Sequence, residues 1–406
     1  MPENWKTYKL GEVAQLKRGY DLPSSLRKKG KYQIISSAGV TDTHLEYKVE
    51  GPGVITGRYG TIGKVFYTES NFWPLNTSLY VKDFKGNSQK FVYYLLHTID
   101  WQSYSTKSAV PGIDRNEVHQ VKISIPPLKE QYAIASILSA IDDKIDLNLQ
   151  MNKTLEEMAM ALYKHWFVDF GPFQKGEFID SELGMIPQGW EVKRLDSLVS
   201  FSNGYAFKSK QLLKNEEEDC LHVFKMGHIK KGGGLKPDGT KSWVKKSECL
   251  RLDKYILKTG DILMSMTDMK DNMTILGHTA LMNENEKYIV NQRVGLLRIK
   301  NKVKVGYPFI YILTNSFDYI ERLRSQANSG VQVNLSTDAI KSSKVVTPEI
   351  AVNEEFNNIT FPLFEQINQN AIENQTLTTL RDTLIPKLIS GEVRVKDTKK
   401  LITAAL

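Results

Sequence analysis

The 406 residues carry a formal net charge of +8 and a pI near 9.0, with 41% hydrophobic and 25% charged residues. That length supports two or more domains with real cores, and the composition is ordinary for a soluble globular chain. No apolar run reaches the roughly 20 residues of a membrane helix, the opening Met1, Pro2, Glu3, Asn4, Trp5 lacks a signal-peptide pattern, and Cys220 and Cys249 have no thiol or histidine at metal-ligand spacing. A cytoplasmic chain with no metal of its own is expected. The basic balance suits a nucleic-acid partner but decides nothing alone.

In chain order, the first body opens at Trp5 and Leu10 and continues to Gly19 and Tyr20. Short β-rich pieces bounded by Gly, Asn, Asp or Pro follow at 32–36, 53–56, 64–67 and 79–84, as in a mixed sheet. A helix is predicted over 89–103, with Phe91, Tyr94, Leu95 and Ile99 on one face. Residues 118–126 then lead into a long helix over 129–167. Its seam runs Ile134, Leu138, Ile141, Ile145, Asn148, Asn152, Leu155, Ala159, Leu162 and Trp166, a heptad pattern with two asparagines in the middle. Gly171 and Pro172 end the helix, and 173–186 reads as a linker.

The chain then repeats itself. Trp190, Leu195, Gly204 and Tyr205 stand 185 positions after Trp5, Leu10, Gly19 and Tyr20. Strands are predicted at 261–264, 289–290 and 296–299, a helix near 308–324, and Asn291 is set against Asn76. Residues 340–348 lead into a second long helix with the seam Phe356, Thr360, Leu363, Ile367, Asn370, Asn374, Leu377, Arg381, Leu384 and Leu388, 222 positions after the first. The two offsets differ by 37, so the second body carries extra residues, mostly within 208–250. Pairing Asn148 with Asn374 and Asn152 with Asn370 closes both seams if the helices run antiparallel. A buried asparagine sets register at a cost in stability. The expected class is α/β (α+β): two mixed bodies separated by an intramolecular antiparallel coiled coil. The divisions are 1–128, first body; 129–170, central helix; 171–186, linker; 187–350, second body; 351–392, C-terminal helix; and 393–406, a basic tail.

No catalytic constellation emerges. The glycine-rich stretch 230–234 lacks P-loop spacing. Pro237 and Asp238 are not followed by the acidic-x-Lys of a metal-dependent nuclease. No glycine motif for S-adenosylmethionine appears, and the seven histidines are scattered. The positive signal is for DNA, because Lys or Arg stands beside Gly, Asn, Ser and Tyr in loops of both bodies. Such residues neutralise phosphates, admit the backbone closely and read base edges. The candidates are Lys17, Arg18, Tyr20, Arg27, Lys28, Arg58, Tyr59, Asn76, Lys107 and Arg115 in the first body. In the second they are Asn203, Tyr205, Lys208, Thr267, Asn291, Arg293, Gln332 and Asn334. Two similar but unequal bodies on a stiff pair of helices would make a bipartite reader with unlike half-sites.

The run Ile125, Pro126, Pro127, Leu128, Lys129, Glu130, Gln131, then Ile141 to Ile145, Asn148, Asn152, Leu155, Glu156 and Trp166, Phe167, resembles the central region of type I restriction–modification specificity subunits. Residues 187–190, Leu195 and Asn203 to Tyr205 resemble the start of their second recognition domain. The second helix departs from the pattern, with Thr347, Pro348, Glu349 and Ile350 where the first has Pro126, Pro127 and Leu128. The resemblance implies a non-catalytic subunit that binds double-stranded DNA and docks two methyltransferase subunits. S-adenosylmethionine, ATP and Mg would be held by partners, with restriction subunits joining through the complex. It places Lys144, Glu156, Glu157 and Lys164 near the methyltransferase contact. A coiled-coil DNA-binding adaptor or regulator without methyltransferase partners is the alternative.

Overall fold

A computed structural model describes residues 4–105, 111–237, 239–269, 273–300, 305–328, 330 and 332–398. The chain forms two compact units, Met1–Asn148 with Ile372–Leu406, and Leu149–Ala371. The first runs β1 (Lys6–Lys9), α1 (Leu10–Val13), β2 (Gln15–Arg18), β3 (Tyr32–Ser36), β4 (Gly39–His44), β5 (Gly53–Gly57), β6 (Val65–Thr68), β7 (Phe72–Pro74), β8 (Ser78–Asp83), α2 (Gln89–His97), α3 (Arg115–His119) and β9 (Lys122–Ile125) into α4 (Leu128–Tyr163). An antiparallel sheet of order β2-β8-β5-β6 forms one layer, and β3 lies between antiparallel β4 and parallel β7. Strand β5 reads Gly-Val-Ile-Thr-Gly and is buried throughout, so β-branched residues suit both its faces. Helix α2 starts where the Ser88 hydroxyl accepts from the Phe91 N–H, and it buries Phe91, Val92, Tyr94, Leu95 and Leu96. These join Trp5, Leu10, Leu79 and Val81 in one core with Ile134, Leu138 and Ile141 of α4.

The second unit repeats that plan. It contains β10 (Phe178–Ile179), β11 (Ile186–Pro187), β12 (Glu191–Arg194), α5 (Leu195–Leu198), β13 (Val199–Asn203), β14 (Cys220–Phe224), β15 (Trp243–Lys245), β16 (Ile262–Ser265), β17 (Thr267–Met269), β18 (Thr279–Leu281), β19 (Tyr288–Val290), β20 (Val294–Ile299), α6 (Tyr307–Asn315), α7 (Phe317–Arg324), β21 (Gln332–Asn334), α8 (Thr337–Ser342), β22 (Lys344–Thr347) and α9 (Ile350–Ser390). The sheet order β13-β20-β16-β18 matches β2-β8-β5-β6, and β15-β14-β19 matches β4-β3-β7. The β12–β22 pair likewise matches β1–β9.

Several elements differ from the sequence expectation. Helix α2 stops at His97, and a separate 3₁₀ turn covers Trp101–Tyr104. The helix expected near 308–324 is two helices, broken at Ser316, whose extended backbone ends α6 and whose hydroxyl donates to the Leu313 carbonyl. The stretch 173–186 holds β10, which pairs with β11. Past Gly391, residues 393–395 fold back: Val393 and Val395 pack on the first core, and Arg394 pairs with Glu130 at 2.9 Å.

Both long helices contribute to both units. In the first, α4 and α9 run antiparallel. Asn148 donates to Asn374 Oδ1 (2.9 Å) and Glu373 (2.7 Å), and Asp142 meets Arg381 at 2.9 Å. In the second, the Asn370 amide donates to Asn152 at 2.8 Å, and Phe356 packs on Tyr163, Trp166 and Phe167. The asparagines are therefore satisfied side chain to side chain, with Asn148 fully buried. Arg381, the charged break in the seam, is answered by Asp142, which also accepts from the Tyr94 hydroxyl at 2.6 Å. Burial, with Asp142 beside it, holds that hydroxyl far above the usual tyrosine range, so it remains a donor.

Candidate nucleic-acid interface

Each body brings several of its candidate residues to a place where three strand ends meet. In the first, β2 ends, β8 begins and β5 ends on the same side, because β8 runs antiparallel to both neighbours. The chain leaves β2 through Gly19, whose N–H donates to the Ser78 carbonyl (3.1 Å), and Tyr20, whose N–H donates to the Pro74 carbonyl (2.8 Å). A Cβ at Gly19 would lie 2.1 Å from the Leu75 carbonyl oxygen, so only glycine lets the strands cross here. The second body makes the same crossing: Gly204 donates to Val294 (3.0 Å), Tyr205 to Val290 (2.9 Å), and a Cβ at Gly204 would lie 2.2 Å from the Asn291 oxygen.

These bonds also correct the match of the two bodies by one residue. Tyr20 bridges Leu75 and Tyr205 bridges Asn291, so the partner of Asn291 is Leu75, and Asn76 corresponds to Gln292. A further equivalence follows. The Arg58 N–H donates to the Thr77 carbonyl (2.9 Å), and the Met266 N–H donates to the Arg293 carbonyl (3.3 Å). Each body therefore sets one arginine in the same backbone pair, but on opposite members of it: Arg58 after β5 in one, Arg293 before β20 in the other.

Around the first crossing, the Arg58 guanidinium lies 4.5 Å over the Tyr59 ring. Lys17 reaches the Tyr20 hydroxyl at 3.4 Å and lies over that ring at 5.3 Å. The Tyr20 hydroxyl is held below the ordinary tyrosine range, first by its 3.0 Å bond to the Tyr80 hydroxyl and, more weakly, by Lys17. Arg18 and Asn76 both turn to the Asp21 carboxylate, a neighbour that loop composition did not single out. Arg115 is exposed at the start of α3, two residues beyond Ile113, whose N–H donates to the Arg58 carbonyl. Arg27 and Lys28 sit elsewhere, beside β3 and β4: Arg27 donates to the Leu22 carbonyl, and the Lys28 N–H donates to His44. Lys107 lies outside the described residues.

Around the second crossing, Asn203 accepts from the Thr337 hydroxyl at 3.1 Å. Arg293 is exposed in the turn closed by the Val294 N–H and the Asn291 carbonyl. Strands β17 and β21 put Asn334 opposite Thr267 and Gln332 opposite Met269. Thr267 is buried, its hydroxyl 2.7 Å from the Met226 sulfur. Tyr205 is half-buried against Phe207 and Tyr255, and Lys208 is exposed ahead of the turn Ser209–Gln211. Of the four helix residues set apart for a partner, Lys144 pairs with Glu373 at 3.1 Å and Glu156 accepts from the Tyr311 hydroxyl at 2.8 Å. Glu157 and Lys164 are exposed, near Lys153 and Asp169 respectively.

Residues 2–157 and 187–380 match the profile of the type I restriction modification DNA specificity domain. The chain belongs to that family. Family relatives include the type I restriction enzyme MjaIX specificity subunit of Methanocaldococcus jannaschii, 27% identical over 89% of this chain and 82% of the relative. The MjaVIII specificity subunit of the same organism is 24% identical over 98% and 95%. The HindI specificity subunit of Haemophilus influenzae is 24% identical over 75% and 77%. The crystal structure of a type I restriction-modification S subunit from M. genitalium superposes with a TM-score of 0.56 at 18% identity, covering 95% of this chain and 96% of that one. That likeness extends the specificity-family fold over nearly the whole chain. Among the described residues, no group of three or more His, Cys, Asp or Glu is arranged to hold a metal ion, and no helix is long and apolar enough to cross a membrane.

Proposed function

We propose that this chain is the DNA-reading subunit of a type I restriction–modification complex in the cytoplasm, each body reading one half of a bipartite, asymmetric site. The observation that carries the reading is the crossing built twice on one backbone plan with different side chains at matched positions. Arg58 answers to Met266, Thr77 to Arg293, Leu75 to Asn291 and Asn76 to Gln292. An arginine fork fits the O6 and N7 of guanine, and a carboxamide fits adenine. Changing which member of the pair carries the fork changes which base it meets, so unlike half-sites follow. The lysines beside these groups neutralise phosphates and set register without reading sequence.

The chain itself carries out no chemistry in this reading. Two methyltransferase subunits dock on outward faces of α4, of the turn that follows it and of α9, where Leu147, Glu157, Met158, Lys164 and Ile372 are exposed. They bring S-adenosylmethionine for adenine methylation, and restriction subunits bring ATP and Mg for cleavage of unmodified DNA. The test is methylome sequencing of a host carrying the full complex with Arg58→Ala or Arg293→Ala. The expected outcome is that each variant relaxes one half-site only. Uniform loss of methylation with both half-sites still required would make these arginines phosphate contacts. Adenine methylation by the purified chain alone would defeat the non-catalytic assignment.

A further inference from the structure

The two bodies differ most where β3 and β14 turn back on themselves. In the first, only Ser37 and Ala38 separate β3 from β4; in the second, residues 225–242 separate β14 from the matching β15. The root of this excursion lies at the crossing already described. The Phe224 carbonyl accepts from the Asn291 N–H (3.0 Å), and the Met226 sulfur touches the Thr267 hydroxyl. The excursion is also firmly built. The Lys236 N–H donates to His228 (2.8 Å), the Lys230 N–H to Gly234 (2.9 Å), and the Gly234 N–H to Thr279 in β18 (2.9 Å). Gly232, Gly233 and Gly234 all have positive φ, and Gly233 lies so close to Asn315 that a Cβ would meet its side chain at 2.5 Å.

Exposed on this hydrogen-bonded loop are Lys230, Lys231, Lys236 and Lys241. None of the four has an ion-pair partner among the described residues, whereas Lys245 and Lys246 just beyond are met by Glu217 and Asp219. Like charges gathered on a pre-ordered loop repel one another until a polyanion neutralises them. A loop already fixed in shape loses little freedom on meeting it. We propose that residues 225–237 and 239–242 form a phosphate-gripping arm, which holds the duplex backbone beside the half-site read by the second body and adds sequence-independent affinity that the first body lacks. The proposal rests on the DNA-reading function above.

The test compares the full chain with a Lys230→Gln/Lys231→Gln/Lys236→Gln variant, titrated with a fluorescent duplex of unrelated sequence between about 50 and 200 mM salt. Each lost phosphate contact removes about 0.9 from the slope of log affinity against log salt, so the slope is expected to flatten by about 2 to 3. A Lys6→Gln/Lys9→Gln/Lys122→Gln variant removes the same charge from the exposed β1–β9 pair and is expected to leave the slope as it was. An unchanged slope in the arm variant, or an equal change in both variants, would overturn the arm. Failure of the unaltered chain to bind any duplex at the lowest salt would instead overturn the DNA reading itself.

Discussion

Gly19 and Gly204 show how much can hang on a missing methyl group. Each lets two strands cross with a carbonyl oxygen where a Cβ would have to stand, 2.1 and 2.2 Å away. The obstacle is backbone, which cannot swing aside as a flexible side chain can. Gly19→Ala and Gly204→Ala are each expected to lower unfolding stability by about 1–3 kcal/mol, the range of an overpacked core. A urea midpoint unchanged in either variant would show that the crossing yields freely. Both glycines were legible in the sequence because they recur before a tyrosine at the same offset. Asp21 was not, since a single acidic residue in a basic loop reads as ordinary solvated surface. Only the fold brings Arg18 and Asn76 to it.

Among the elements, the strands with apolar, β-branched runs and the two long helices were plain from periodicity. Strand β3 spans the β-rich residues 32–36, and the seams bury Ile134, Leu138, Phe356, Leu384 and Leu388. Strands β1 and β12 escaped notice because Lys6–Lys9 is wholly exposed and Glu191–Arg194 sets only Val192, half-buried, toward its core, too little apolar signal to mark a strand. The one-residue shift between Asn76 and Asn291 was likewise hidden, because only strand bridges fix it. The asparagine layer yields a prediction at this scale. Asn148→Leu leaves Asn374 without a side-chain partner, at a cost of about 1–3 kcal/mol. Asn148→Leu/Asn374→Leu is expected to cost less than the sum of the single changes. Glu373 belongs to the same layer: the Asn148 amide, and then Lys144, hold its carboxyl below the usual range. Its stabilisation is therefore present above the ordinary glutamate value of about 4.3 and is lost as pH falls through the lower folded-state value. The stability difference between wild type and Glu373→Gln should be largest near neutrality and close at strongly acid pH. A difference constant across that range would remove Glu373 from the layer.

For the whole molecule, the duplicated plan means that neither body needs a second chain to provide its counterpart. The proposed function then assigns the helices a measuring role, and that role can be tested apart from base reading. Duplicating residues 145–151 of α4 together with 371–377 of α9 adds one heptad to each helix and keeps the seams in phase, since these segments face each other through Asn148 and Asn374. Seven residues add about 10 Å at roughly 1.5 Å per residue, or about three base pairs at roughly 3.4 Å each. The lengthened chain, assembled with the proposed methyltransferase subunits, is expected to keep both half-site sequences and to separate them by about three more base pairs in the methylome. Unchanged spacing would mean that the helices join the bodies without measuring the distance between their targets. Altered half-site sequences would mean that the base-reading loops depend on the helices for their shape.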